Sequence, residues 1–140
     1  NIGRLEKLLD VKVVRFSSFT LEAADARVLI IDNIGMLSSA YRYAYIAAIG
    51  GGFGKGIHNI LEAACWKIPV IFGPKYEKFR EAVELIKARG AFSFDSSEDF
   101  SEILDKLISD ELFYTAAAET AGHYITRNTG ATAVILREIF

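Results

Sequence analysis

Hydrophobic positions along the chain alternate between short β-branched runs and stretches with helical spacing. Ile2, Leu5, Leu8 and Leu9 recur three or four residues apart, which predicts an opening helix. Strands are predicted at residues 11–16, 28–31, 45–49, 70–72 and 91–94. Further helices are predicted at residues 36–44, 57–66, 78–88, 97–109, 111–125 and 131–140. The predicted caps are Gly90 after the helix at 78–88, Ser96 or Ser97 before that at 97–109, and Asp110 before that at 111–125. This alternation indicates an α/β fold with a Rossmann-like, largely parallel sheet, whose strand at 28–31 we expect to be buried.

Turns that contain glycine follow three of the predicted strands, at residues 32–35, 50–56 and 73–74. In open parallel sheets, ligands bind outside the carboxyl ends of the strands. Because the three turns fall at such ends, we expect them to converge on one ligand site.

The loop at residues 50–56 has the sequence GGGFGKG, with five glycines in seven residues. Glycine allows positive φ angles and close approach of a ligand to the backbone. The predicted helix from residue 57 would add free N–H groups and the positive end of its dipole. We therefore interpret the loop as a phosphate or carboxylate site, with Lys55 as a further donor. A tight connection without a ligand is disfavoured by the chain entropy that so many glycines lose.

Two common phosphate-binding motifs do not fit this loop. A dinucleotide fingerprint needs a third and a sixth glycine in fixed register, and no starting glycine in the loop satisfies both positions. A P-loop needs Gly-Lys-Ser/Thr, whereas Gly56 is followed by Ile57 and His58. Phosphoryl transfer with magnesium is therefore disfavoured.

His58, Asn59 and Glu62 follow the loop directly. In the predicted helix, His58 and Glu62 are four residues apart and share one face, with Asn59 beside them. The histidine could donate to a phosphate, and the glutamate could accept both hydroxyls of a ribose. The alternative is a capping histidine and a solvated carboxylate, and the position after the glycine loop favours the functional interpretation.

Composition and charge narrow the class of protein. The 140 residues are 51% hydrophobic and 24% charged, which fits one compact globular domain over residues 1–140. A net charge of −2 gives no electrostatic case for a nucleic-acid partner. The single cysteine, Cys65, excludes a disulfide framework and a cysteine-based zinc cluster. No apolar run approaches the roughly 20 residues that span a bilayer, so the chain is expected to be soluble.

Residues 57–74 have the sequence IHNILEAACWKIPVIFGP, and residues 32–35 have the sequence DNIG. Together with the glycine loop, this pattern resembles the 3-deoxy-D-manno-octulosonic acid (Kdo) transferases of lipopolysaccharide assembly, which are glycosyltransferases of the two-domain GT-B kind. The resemblance implies the C-terminal, donor-binding half of a longer enzyme, without the first strands of that half. It implies transfer of Kdo from CMP-Kdo to lipid A precursor at the cytoplasmic face of the bacterial inner membrane.

The resemblance also implies the roles of individual residues. The turn after the strand at 28–31 would line the base, the loop and the segment after it would hold the phosphate and the sugar carboxylate, and the glutamate would hold the ribose. The implied donor-binding residues are Ile34, Gly35, Met36, Gly52, Phe53, Gly54, Lys55, Gly56, His58, Asn59, Glu62 and Lys75. No metal or other cofactor is expected. No catalytic residue is assigned to this chain, because the base and the acceptor site belong to an N-terminal domain; the chain alone is therefore expected to be inactive.

Three positions depart from the family pattern. Met36 stands where many members carry glutamate, Ile57 replaces a glycine before the histidine, and Lys67 replaces a glycine before the strand at 70–72. Met36 puts a polar contact with the donor in question. Ile57 puts a close approach of the ligand to the backbone in question, and Lys67 concerns a helix end.

Two other functions stay open at this point. One is a GT-B transferase or epimerase that uses a UDP-sugar, and the other is a non-catalytic nucleotide-binding domain. The absent first strands also carry an expectation for the sheet. The strands at 28–31 and 45–49 should pair directly, or a homodimer should complete the sheet.

Overall fold

The computed structural model describes residues 2–139, without the side chains of residues 132–134. Its strands are β1 (Val13–Arg15), β2 (Val28–Ile30), β3 (Ala47–Ile49), β4 (Val70–Phe72) and β5 (Ala91–Ser93). Its helices are α1 (Ile2–Leu8), α2 (Leu37–Ala40), α3 (Leu61–Ala64), α4 (Arg80–Ala88), α5 (Ser97–Ser109), α6 (Glu111–Asn128) and α7 (Ala131–Ile139). The chain divides into two compact units, Asn1–Ala40 and Tyr41–Phe140.

The first unit contains a two-stranded parallel sheet in which Val13 of β1 lies opposite Val28 of β2. At the end of β1, Arg15 donates to both carboxylate oxygens of Glu6 on α1, at 2.7 and 2.6 Å. Beyond β2, the Asp32 carboxylate accepts the Ser17 N–H at 3.0 Å, so it joins the two strand ends. None of the described residues of this unit is buried, so these polar contacts at the strand ends are a main part of what connects its elements.

The second unit is built on a three-stranded parallel sheet of order β3-β4-β5. The central strand is completely buried, because it has a neighbour on each edge and helices on both faces. Val70 and Phe72 join a core with α3, α4 and α6, whereas Ile71 packs with Leu107 of α5 and Ala117 of α6. Because successive side chains of a strand point to opposite faces of the sheet, β4 contributes to both cores.

Two of these three predicted helix caps are confirmed. Ser96 caps α5 by accepting the Asp99 N–H, and Asp110 caps α6 by accepting the Phe113 N–H, as predicted. The predicted cap at Gly90 is displaced by one residue, since the left-handed residue that ends α4 is Arg89, with φ 65°. Gly90 is required for another reason: a Cβ there would lie 2.9 Å from the Ala121 nitrogen of α6.

The parallel α/β fold is confirmed, with strands and helices shorter than predicted in several places. The strand predicted at 28–31 is not fully buried, and Leu29 of β2 is 49% exposed. Direct pairing of that strand with the one at 45–49 is wrong, because β2 pairs with β1 and β3 pairs with β4. The helix predicted at 36–44 is a single α-turn, α2, followed by a 3₁₀ turn at Tyr41–Tyr43. A homodimer stays a prediction.

Among the residues that the structure describes, no helix is both long enough and apolar enough to cross a membrane.

Candidate functional site

The loop between β3 and α3 closes on itself through backbone hydrogen bonds. Gly51 and Ile57 form an antiparallel bridge, the Gly52 N–H donates to the Gly56 carbonyl at 2.7 Å, and the His58 N–H donates to the Gly50 carbonyl at 3.1 Å. The loop therefore resembles a small hairpin rather than an open ring of amides. The N–H groups of Gly52 and His58 are used inside it.

The predicted helix at 57–66 is wrong over its first turn, because α3 begins only at Leu61 and ends at Ala64. Ile57 is buried and bridged to Gly51, which holds the backbone extended where the helix was expected. His58 is exposed and precedes the helix. The predicted shared helical face of His58 and Glu62 is therefore also wrong, and the helix of a single turn cannot provide the expected dipole.

Asn59 and Glu62 are nevertheless joined, by their side chains. The Asn59 Oδ1 accepts the Leu61 N–H at 3.0 Å, so the asparagine turns the chain into α3. The same side chain donates through Nδ2 to Glu62 Oε1 at 2.9 Å. This fixes one carboxylate oxygen of a half-buried glutamate at the start of the helix. Such a carboxylate is oriented to accept hydrogen bonds from hydroxyl groups.

Two neighbouring side chains complete the surroundings of Glu62. The Cys65 thiol donates to the Glu62 backbone carbonyl at 3.2 Å. Burial raises the pKa of Tyr41, and the negative charge of Glu62 raises it further. The tyrosine hydroxyl therefore stays protonated to a higher pH than that of an ordinary tyrosine.

The positions of most glycines in the loop are explained by packing. A Cβ on Gly52 would lie 2.6 Å from the backbone of Gly73, and a Cβ on Gly51 would lie 2.5 Å from the Gly56 carbonyl oxygen. Both residues also have positive φ, 85° and 92°. The loop thus lies directly against the turn that follows β4, which only glycine permits. Gly54 differs, since a Cβ there would meet nothing within 4 Å.

A pocket of about 590 Å³ opens beside this unconstrained glycine. Its lining residues are Gly54, Lys55, Lys75, Glu77 and Lys78, and we call it the lysine pocket. The Lys75 N–H donates to the Gly52 carbonyl at 2.9 Å, and its ammonium group lies 3.4 Å from the Phe53 carbonyl oxygen. By sequence, Lys78 belongs to a run of lysines and glutamates, which is typical of a solvated face. Its position three residues after Lys75 is the sequence feature that could have indicated that the two lysines line one pocket.

A second cleft of about 590 Å³ lies at the carboxyl ends of β3 and β5. Its walls are apolar: the ring of Phe53 lies 5.3 Å from that of Phe94, which lies 5.0 Å from Phe100. Asp95 also lines the cleft, and the Asp99 carboxylate raises the pKa of Asp95, because it accepts a hydrogen bond from the protonated Asp95 and repels its charged form. This cleft was not predicted, because its aromatic residues come from two segments far apart in the chain, the loop after β3 and the residues from the end of β5 into α5.

The remaining predicted residues, Ile34, Gly35 and Met36, lie in the first unit, in the turn after β2. Ile34 is fully exposed, and Gly35 has a φ of 93° with open space where a Cβ would stand. The Met36 sulfur accepts a hydrogen bond from the Asn33 amide at 3.0 Å. The turn thus presents an apolar side chain next to an accessible backbone.

The fold is shared with a crystal structure of the C-terminal CMP-Kdo-binding domain of WaaA from Acinetobacter baumannii. The match has a TM-score of 0.75 and 23% identity, and it covers 89% of this chain and 66% of that one. The fold is therefore that of the C-terminal domain of a GT-B glycosyltransferase.

Three sequence relatives share the name 3-deoxy-D-manno-octulosonic acid transferase. The protein from Aquifex aeolicus is 34% identical over 67% of this chain, and that from Rickettsia bellii is 31% identical over 75%. The Chlamydia muridarum protein is 29% identical over 74% of the chain. No family model matches. The chain belongs to the Kdo transferase family, and it spans about a quarter of the length of these relatives, 27%, 27% and 24% respectively.

Proposed function

We propose that this chain is the donor-binding part of a Kdo transferase of lipopolysaccharide biosynthesis, and that its ligand is CMP-Kdo. The observation that supports this most directly is the Glu62 carboxylate fixed by Asn59 at 2.9 Å, directly after the glycine loop. The family membership gives the donor class, and the A. baumannii domain, which is named for CMP-Kdo binding, has the same fold.

In this proposal, different residues of the site contact different groups of the donor. The free oxygen of Glu62 accepts the ribose hydroxyls, while Asn59 holds the carboxylate in place. The exposed His58 donates to the phosphate at the end of the loop. The ammonium groups of Lys55 and Lys75 supply positive charge beside Gly54. The loop glycines shape this surface through their packing, and binding without a metal stays a prediction.

Contact of Ile34, Gly35 and Met36 with the base of the donor stays a prediction. The acceptor is proposed to be lipid A precursor, bound by an N-terminal domain of the whole enzyme at the cytoplasmic face of the inner membrane. No residue of this chain is proposed as the catalytic base, so we expect the 140-residue protein to transfer no Kdo by itself.

Calorimetric titration with CMP, UMP and CMP-Kdo tests the proposal. CMP and CMP-Kdo should bind, and His58→Ala should weaken both by about 1–3 kcal/mol, as for loss of a hydrogen bond to a charged group. His123→Ala is the matched control, since that histidine is exposed on α6, away from the loop in the chain. Tighter binding of UMP than CMP would instead support a UDP-sugar enzyme, and absence of nucleotide binding would refute the proposal.

A further inference from the structure

We infer that the free edge of β5 is a docking groove for an extended, acidic segment of another protein, which adds a strand to the sheet beside β5. The groove has a volume of about 490 Å³, and we call it the β5 groove. It is lined by all three residues of β5 and by Tyr76, Ile86, Arg89, Ile103, Lys106 and Phe113. No residue assigned to the donor is part of this lining, so the inference is independent of the proposed function.

The groove follows an edge of the sheet that is unpaired among the described residues. In the order β3-β4-β5, β5 has a neighbour on one side only. The Phe94 N–H, just after β5, donates to the Phe72 carbonyl of β4 at 3.1 Å. Because backbone groups alternate in direction along a strand, the N–H and carbonyl of Ser93 point away from β4. Such an edge can pair with the backbone of an added strand.

Side chains from both faces of the sheet meet at the β5 groove. Tyr76 and Ile86 pack against the core on the α4 face, whereas Ile103 and Phe113 pack against the core on the α5 face. Residues from opposite faces can line one space only where the sheet ends between them. An added strand would therefore lie between two largely apolar walls, and its side chains would point alternately to one wall and to the other.

Each wall of the groove carries one cation, Arg89 at the end of α4 and Lys106 in the last turn of α5. Among the described residues, no aspartate or glutamate lines the groove. The Lys106 ammonium group lies 4.3 Å from the centre of the Phe113 ring, which holds its charge against the wall. The Arg89 guanidinium makes no hydrogen bond or ion pair within the part of the chain that the structure describes, so it can bind a carboxylate.

The backbone conformation of Arg89 supports a role for its side chain. This residue ends α4 in the left-handed conformation, with a φ of 65°. A residue with a Cβ is strained in this conformation, whereas glycine adopts it freely. The chain therefore has a cationic side chain at a position where glycine would be the unstrained residue. A partner that is bound by this charge accounts for the arginine.

The same charges disfavour a second copy of this chain as the occupant. A symmetric pair of β5 strands would bring Arg89 and Lys106 of both copies to one edge, where like charges repel each other. An acidic segment is instead attracted by both walls. Because successive side chains of the added strand point to opposite walls, each wall receives one carboxylate when two acidic residues are adjacent in its sequence.

Two synthetic hexapeptides of identical composition test this geometry, VTEDVT and VETDVT, both with blocked termini. The acidic residues are adjacent in the first peptide and would face opposite walls, whereas in the second they are two positions apart and would face the same wall. In fluorescence anisotropy with labelled peptides, we expect VTEDVT to bind about fivefold more tightly. VTEDVT with every amide N-methylated should bind more weakly by about tenfold or more, because it cannot donate to the edge of β5.

Variants of the protein test the two walls separately. Arg89→Gly removes the charge and also the left-handed strain, so this variant should fold, and its affinity for VTEDVT should fall by about tenfold. Lys106→Gln should lower the affinity by about fivefold. Lys87→Gln is the control, with a change of less than about twofold, because it removes the same charge from the last turn of α4 and this residue does not line the groove.

Four outcomes would overturn the inference. The first is no saturable binding of VTEDVT at concentrations up to about 1 mM, and the second is equal affinity for the two peptides, which would indicate non-specific attraction. Displacement of VTEDVT by CMP would make the groove a site for small anions. A dimer in sedimentation that VTEDVT dissociates would assign the edge of β5 to a second copy of the chain.

Discussion

β2 and β4 have nearly the same composition, Val-Leu-Ile and Val-Ile-Phe, yet their surroundings differ. β4 is paired on both edges and has no exposed residue, whereas β2 pairs with β1 alone and leaves Leu29 49% exposed. An apolar run of this length indicates a strand, but the number of neighbours determines how far the strand is buried. This difference in burial predicts that substitutions in β4, or against the turn that follows it, lower the stability more than substitutions in β2.

The largest expected effect comes from truncating the central strand. Phe72→Ala should lower the free energy of unfolding of the second unit by about 3–5 kcal/mol, because it removes a completely buried aromatic ring and leaves a cavity. Leu29→Ala should cost about 1 kcal/mol or less, since half of that side chain is already in water. Urea denaturation followed by circular dichroism measures both. Equal costs would mean that β2 is as fully covered as β4.

An intermediate effect is expected where the loop after β3 meets the turn after β4. Gly52→Ala should cost about 2–4 kcal/mol, because the new Cβ would lie 2.6 Å from the Gly73 backbone and the residue has a φ of 85°. Gly54→Ala, in the same loop, is the control and should cost almost nothing. Thermal unfolding of the two variants provides the comparison. A Gly52→Ala variant as stable as wild type would show that the loop can move away from β4.

The smallest expected effect lies just before β4, at Lys67, which has a φ of 57°. Lys67→Gly should have a free energy of unfolding about 0.5–1 kcal/mol higher than that of Lys67→Ala, because both variants lose the lysine stem and only glycine adopts this conformation without strain. Lys67→Ala keeps the strain and loses the packing of the lysine stem against Gly122, so it should not stabilise the protein. If both variants behaved alike in urea denaturation, backbone strain at this position would not be the cause.

The order and type of most elements could be predicted from the sequence, because they depend on local patterns. Ser96 and Asp110 cap the helices that their positions indicated, and residues 70–72 form the predicted strand. The pairing of β2 was mispredicted because strand neighbours depend on contacts far apart in the chain. The left-handed residue at Arg89 was missed because glycine, one position later, is the usual residue for such a cap.

The sequence predicts a position for the candidate site, but it did not reveal how the loop and the start of α3 are built. The glycine loop indicated where it lies, yet the hydrogen bonds that close the loop delay α3 until Leu61, and helical spacing could not reveal this. The Asn59–Glu62 contact depends on side chains across the start of that helix. Lys78 was placed on a solvated face, because lysines among glutamates usually mark one. Only the fold shows that it shares a pocket with Gly54.

Asp110 is the only residue between α5 and α6, and it ends one helix while starting the other. Its N–H donates to the Lys106 carbonyl at 3.0 Å, and its carboxylate accepts the Phe113 N–H at 2.9 Å. Fraying normally begins at helix termini that open independently of one another. Here a single opening event would release the last turn of α5 and the first turn of α6 together. Amide hydrogen exchange in these two turns should therefore be correlated, so that the hairpin behaves as one cooperative unit.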